Sequence, residues 1–315
     1  MTKPEVAKTF FDIQSQLKHE GLLEEHQGAV KAALRAEDGT VYVAELDGAG
    51  VAMQELATGS PEEPFLYAFA VKPEAKMLLL LRGTYAVQIA DGMRALTAEL
   101  DDMAQIVGLT ARVASTLEPV EIERCLRGRN SCFVKGEGML ITGRSISEAL
   151  TGAILLEKAA MTHLLAKKIG GAKRVPLFSA ALMHFIYQKK YSKINLSAEN
   201  APAQAAEQSQ ADAPAQTARE RSIREGIVAY GKRLQDEGLL QGTWGNLAVR
   251  LDETYMLCTP SGLDYRLLKP EDIVKVELKT LDYGTQRKPT SEKRLHRDIF
   301  EARADVGAVI HTHAK

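Results

Sequence analysis

Cysteine is scarce: Cys125, Cys132 and Cys258 are the only three in 315 residues. None stand in the C-x-x-C spacing of a cysteine-built metal knuckle, and the three fit a reducing compartment better than a disulfide framework. Charge of one sign is also lacking, since 40 Lys and Arg against 41 Asp and Glu leave a formal net charge of -1. Broad electrostatic attraction to nucleic acid or to an anionic membrane is excluded on that balance. The longest strongly apolar run, Met77 to Leu81, falls far short of the roughly 20 residues that cross a bilayer and reads as a buried strand. The opening MTKPEVAKTFFDIQ has no apolar stretch or cleavage site of a secretion signal. The expectation is a cytoplasmic protein with no membrane or nucleic-acid partner.

What is present suits globular domains, with 45% hydrophobic and 26% charged residues. The Ala-, Gln- and Pro-rich stretch 196–217 has almost no large apolar residue and cannot bury a core. It reads as a linker between residues 1–195 and 218–315. Across it the sequence repeats. Gln16-Leu17-Lys18-His19-Glu20-Gly21-Leu22-Leu23 lines up with Arg233-Leu234-Gln235-Asp236-Glu237-Gly238-Leu239-Leu240, and Gly28 then falls on Gly245 without a gap. Farther on, Pro73 to Leu80 matches Ala304 to His311. Two copies of one domain are the simplest account.

Each copy should open with a helix, such as Arg219 to Glu237, ended by a glycine such as Gly238. In the second copy, strands are expected at Leu247–Leu251 and Tyr255–Cys258, a helix from about Glu292 to Ala302, and an apolar strand into His311. The first copy continues with helices at Thr97–Val107 and Pro119–Leu126, a strand at Cys132–Val134, and long helices at Ser145–Ile169 and Leu177–Tyr191. That is an α/β layer domain; the second copy, about half as long, matches its front half. The basic stretch Lys189-Lys190-Tyr191-Ser192-Lys193 reads as a solvated helix end.

The chemistry gathers in the second copy. His311 and His313 follow an apolar run at a two-residue spacing, which on a strand turns both rings to one face. By spacing alone they fit a transition-metal site, most often zinc, or a plain core or surface pair. Ahead of them stand Thr243-Trp244-Gly245-Asn246, Thr259-Pro260-Ser261-Gly262 and Pro289-Thr290-Ser291-Glu292, hydroxyl and amide donors beside turn residues, suited to a phosphate.

These strings, GTWGNLAVR, CTPSGLDYRLLKPEDIVKVEL and KPTSEKRLHRDIFEARADVGAVIHTHAK, resemble the class II aldolase/adducin family, typified by fuculose-phosphate aldolase and ribulose-phosphate 4-epimerase. The resemblance covers nearly all of 219–315. It implies a three-layer α/β/α fold, present once in full and once as a front half. It implies two of three zinc-binding histidines in His311 and His313, a general acid/base in Glu292, and a substrate-phosphate site from Thr243, Asn246, Ser261, Gly262, Thr290 and Ser291. The implied activity is that of a sugar-phosphate aldolase or epimerase, in which the ion stabilises an enediolate while a carboxylate moves the proton. A small phosphorylated sugar is the implied substrate and a tetramer of identical chains the implied assembly. His296, one turn beyond Glu292, is expected to pack or to act from behind the site.

In the first copy the repeat puts Leu80 and Arg82 where the second has His311 and His313, Ala29 at Asn246, and Glu137-Gly138 where the family usually has its third ligand, His-Gly. An Arg82–Glu137 salt bridge in place of a metal is expected, making residues 1–195 a degenerate domain. The second copy's length leads to the expectation of roughly 110 further residues, carrying the third histidine. A non-catalytic adducin-like scaffold is the alternative, opposed by the retention of Glu292, His311 and His313.

Overall fold

The computed structural model describes residues 3–24, 28–47, 50–56, 64–186, 217–240, 244–263, 265–284 and 287–312. The chain divides into two compact units, Met1–Asn200 and Ala201–Lys315.

The first unit runs α1 (Lys3–His19), β1 (Val30–Arg35), β2 (Val41–Leu46), β3 (Val51–Leu56), α2 (Pro64–Val71) and β4 (Met77–Leu81). It continues with α3 (Ala86–Gly92), β5 (Ala95–Thr97), a π-helical turn (Met103–Val107), β6 (Thr110–Ala114), α4 (Pro119–Leu126), β7 (Ser131–Val134), β8 (Gly138–Gly143), α5 (Ile146–Lys167) and α6 (Leu177–Ile186). The strands form one sheet in the order β3-β2-β1-β4-β8-β7-β6-β5, antiparallel except for β6 beside β7. Phe65 and Phe69 of α2 and Ile122 and Leu126 of α4 pack with Ala33, Leu78, Leu80 and Leu140 on one face, while α1, α3 and α5 lie against the other. With both faces covered, β4 is buried at every residue and its sequence is uniformly apolar instead of alternating. Helix α5 is long and apolar enough to cross a membrane, and half of its most apolar window is packed inside the unit, as in a core helix.

One expected element is replaced. The segment Thr97–Val107 is not a continuous helix: Ala95–Thr97 pairs with β6, and the helix is confined to residues 101–107, of which Met103–Val107 is a π-turn. The ladder claims Thr97, opposite Thr110, and the Gly108 N–H bonds back to Met103 O where the coil stops. Residues 187–191 of the expected last helix, and nearly all of the expected linker, lie outside the described residues.

The second unit runs α7 (Ala218–Asp236), β9 (Asn246–Arg250), β10 (Tyr255–Cys258), a 3-10 turn (Pro270–Asp272), β11 (Val274–Glu277), α8 (Lys293–Ala302) and β12 (Ala308–His311). Its sheet is ordered β11-β10-β9-β12, antiparallel throughout. Alternation along β9 sends Leu247 and Val249 to the α7 face and Ala248 to the α8 face, where Phe300 is buried. Each fully buried side chain of this size contributes about 1.5–3 kcal/mol.

This is the element order and strand order of α1-β1-β2-β3-α2-β4 over again. Both opening helices end alike, with Gly21 at φ 68° and Gly238 at φ 72°. In each, the next residue donates to the carbonyl five back, Leu22 to Leu17 and Leu239 to Leu234. The ladders also correct the ungapped repeat beyond these glycines. Asn246 pairs with His311, whereas Leu80 pairs with Lys31, so Lys31 and not Ala29 stands at the Asn246 place. The loop before β1 is longer by two residues, and a slip in a polar loop leaves no mark in an apolar pattern. β12 differs from β4 in its surroundings: among the described residues it pairs only with β9, and Ala308 and Ile310 are exposed.

Candidate active site

The second unit brings its three polar clusters to one end of the sheet. Thr259, just past β10, accepts on Oγ1 from the Leu247 N–H at 3.2 Å and donates its own N–H to Leu247 O at 3.0 Å. The next residues turn toward the segment before α8: Pro260 bridges Pro289, Ser261 N donates to Lys288 O at 2.9 Å, and Thr290 N donates to Thr259 O at 3.0 Å. Ser261, Gly262, Thr290 and Ser291 are thus drawn together. Thr290 is buried, and its hydroxyl accepts from the Glu292 N–H at 3.3 Å, a side-chain turn that closes just before α8. Thr243 and His313 lie outside the described residues.

Gly245 makes room for this convergence. Its φ is +84°, and a Cβ there would stand 2.7 Å from the His311 carbonyl oxygen and closer still to the Leu240 side chain. Tyr265, a buried residue the sequence reading passed over, donates its hydroxyl to Gly245 O at 3.0 Å. Burial pushes its phenol up to about 12. A tyrosine inside an otherwise polar turn sequence was the available signal, and it is a weak one.

At the centre, Glu292 begins α8 and His311 ends β12, and the carboxylate meets the imidazole at Nδ1. Each of these side chains is 31% exposed. Asn246, opposite His311 in the ladder and buried, donates from Nδ2 to Glu292 Oε2 at 2.9 Å. A carboxylate only accepts, so the amide nitrogen faces it and the amide oxygen faces away. That oxygen meets His296 Nε2 at 2.5 Å, which makes Nε2 the protonated nitrogen. His296 is 0% exposed, and its Nδ1 is buried with no hydrogen-bond partner among the described residues, a loss worth about 1–3 kcal/mol. Burial raises the Glu292 carboxyl, but the hydrogen bonds from Asn246 and His311 outweigh it and hold it below its ordinary value. The result is an ionised carboxylate gripped from two sides. His296 is driven the other way: burial lowers its pKa and keeps it neutral.

The donors fit a divalent ion by their chemistry, an imidazole and a carboxylate side by side and open to solvent. With Nδ1 on Glu292, Nε2 would be the nitrogen of His311 to meet it. Among the described residues no group of three metal-holding side chains occurs. In the first unit Arg82 donates to the Gly136 carbonyl, not to the exposed Glu137. The expected Arg82–Glu137 salt bridge does not form, because the carbonyl one residue earlier is the nearer acceptor.

Residues 225–315 match the family model described as Class II Aldolase and Adducin N-terminal domain. The 5-methylthioribulose-1-phosphate/5-deoxyribulose-1-phosphate aldolase of Rhodospirillum rubrum is 44% identical over 93 residues, 30% of this chain and 41% of that protein. A methylthioribulose-1-phosphate dehydratase of Pectobacterium carotovorum is 38% identical over 88 residues, 28% of this chain and 43% of that protein. The chain spans less than half the length of each relative. Among solved structures, an L-fuculose 1-phosphate aldolase has a TM-score of 0.50 at 18% identity, covering 60% of this chain and 98% of its own. The likeness is one of fold, mixed α/β like the class II aldolases, and it extends over more residues than the second unit contains.

Proposed function

We propose that the second unit carries the front half of a metal-dependent sugar-phosphate aldolase or epimerase site, and that residues 1–195 are a degenerate copy of the same domain. The observation that carries the first part is the grip of Asn246 and His311 on the Glu292 carboxylate beside two hydroxyl clusters. Glu292 holds and moves the proton at the carbon next to the substrate carbonyl; its ionised state suits the base role. His311 and His313 would hold a divalent ion, zinc by preference, which when bound polarises the carbonyl and hydroxyl oxygens of the sugar. Ser261, Gly262, Thr290, Ser291 and Thr243 would receive the phosphate, aided by the N-terminus of α8. Asn246 would reach it only by giving up Glu292. A small phosphorylated sugar is the substrate class, and a tetramer the assembly, by likeness to the family.

The second part is supported by the shared strand order, the matched helix ends and the extent of the fold likeness. The first unit has Lys31 and Leu80 where the site has Asn246 and His311, and neither can do the same chemistry. A purely non-catalytic scaffold is not favoured. A structural domain has no need to keep a carboxylate, two imidazoles and an amide bonded to one another when apolar residues would pack at lower cost.

The test is zinc or cobalt(II) uptake by the purified chain, followed, in a chain whose second domain has been completed, by ketose 1-phosphate cleavage with release of dihydroxyacetone phosphate. Metal uptake lost in His311→Ala and His313→Ala, and chelator-sensitive turnover lost in Glu292→Gln, are expected. Metal bound elsewhere, with uptake unchanged in both histidine variants, would overturn the assignment.

A further inference from the structure

We infer that His296 is a positioning residue that locks the Asn246 amide and thereby sets the Glu292 carboxylate against His311. The inference rests on the reading of Glu292 and His311 as proton mover and metal donor.

Asn246 has two ways to place its amide. With Nδ2 toward Glu292 it donates to the carboxylate at 2.9 Å. Turned over, it would set an amide oxygen against carboxylate oxygens, acceptor against acceptor, and Glu292 would lose one of its two holds. The Nε2–H of His296, at 2.5 Å from Oδ1, accepts no such reversal, because an amide NH2 in that place would face another donor. The lock is out of solvent: His296 is fully buried and Asn246 nearly so. It is also not needed for packing. Phe65 stands four residues before Phe69 in α2, as His296 stands four before Phe300 in α8. Phe65 is buried in the apolar cluster of the first unit, where Lys31 and Leu80 take the places of Asn246 and His311. The same fold without the site fills this helix position with a hydrocarbon. The second unit instead keeps an imidazole there and tolerates a buried, unpartnered Nδ1.

The experiment uses the full chain labelled with 15N-histidine, long-range 1H–15N correlation spectra, and titration with cobalt(II) chloride. His296 should appear as the neutral Nε2–H tautomer. His296→Phe, the residue the first unit uses, should fold, shift the His311 nitrogen resonances and weaken cobalt binding about 10–100-fold. Asn246→Ala should do the same, and the double variant should be no worse than Asn246→Ala alone. His296→Gln, which can donate to Asn246 Oδ1, should recover most of the affinity and the His311 resonances. Unchanged His311 resonances and cobalt affinity in folded His296→Phe, or additive losses in the double variant, would reduce His296 to a packing residue. If His296→Phe fails to fold, Asn246→Ala and His296→Gln decide the same question. A wild-type chain that takes up no cobalt would sink the metal reading instead, while the tautomer and the His311 resonances still decide the lock.

Discussion

Arg250 lies 4.9 Å over the ring of Phe300 and also donates to that residue's carbonyl oxygen. Its guanidinium bonds the Arg303 and Val306 carbonyls too, pinning the end of α8 and the turn into β12 to β9. Arg35 treats Phe69 the same way, 4.3 Å over the ring with Nη2 on the Phe69 carbonyl at 2.9 Å and Nη1 on Pro73 O. One arginine fork thus joins a strand to the negative end of a helix in each unit.

The first prediction follows from that fork. Arg250→Met should cost the second unit about 2 kcal/mol, the sum of charged hydrogen bonds and a cation–π contact. Arg250→Lys keeps the charge but cannot reach several carbonyls at once, so it should recover less than half. Urea unfolding followed by fluorescence of Trp244, the single tryptophan of the chain, measures both. Equal midpoints for Met and wild type would mean the fork is ornamental.

Gly245 supplies a second prediction. At φ +84°, with the His311 carbonyl 2.7 Å from where a Cβ would lie, Gly245→Ala must move either the turn or β12. A loss of stability above about 1 kcal/mol is expected. The His311 resonances should move as well. A variant as stable as wild type with those resonances in place would contradict the close approach.

The sequence carried the frame well where one physical signal dominated. Met77–Leu81 and Pro119–Leu126 have the bounds expected, the first from an unbroken apolar run and the second from a proline start with an apolar face. Tyr255–Cys258 was equally legible. Thr97–Val107 misled at its start, because its apolar spacing suits a helix throughout while Thr97 is taken by pairing to β6 and the coil begins only at residue 101. At the site, residue types were readable but connections were not. That Thr259–Ser261 would pair with Lys288–Thr290, or that Asn246 would face His311 across a ladder, depends on strand register. The buried Nδ1 of His296 has no signature in a linear pattern.

The thiols give a third prediction. Burial pushes the Cys258 thiol up to about 12 and raises Cys132 and Cys125 as well. All three are buried and reduced. A thiolate is the reactive form, so an aromatic disulfide reagent at pH 8 should label native protein only as fast as it opens. In urea, three thiols per chain should react at once. A rapid native-state reaction at Cys258 would contradict its burial under α8.

The last prediction concerns acid. Burial lowers the His296 pKa below 6.5, with nearby Glu292 pulling it up and His311 pushing it down. Unfolded, the imidazole takes a proton near its ordinary value of about 6.5; folded, it resists. The unfolded state therefore binds more protons below that value, and stability must fall as pH drops through it. The contribution is full above about pH 6.5 and declines by up to about 1.4 kcal/mol per pH unit until the folded pKa is reached. Glu292, with its own lowered pKa, acts in a different window, losing its share only below the ordinary carboxylate range. Urea midpoints of the Trp244 transition at pH 7.5 and 5.5 should differ for wild type. In His296→Phe, which has no proton to bind at that place, much of the difference should vanish. If the two pH values give the same wild-type midpoint, His296 is protonated in the folded state, and the Nδ1 left without a partner has found one.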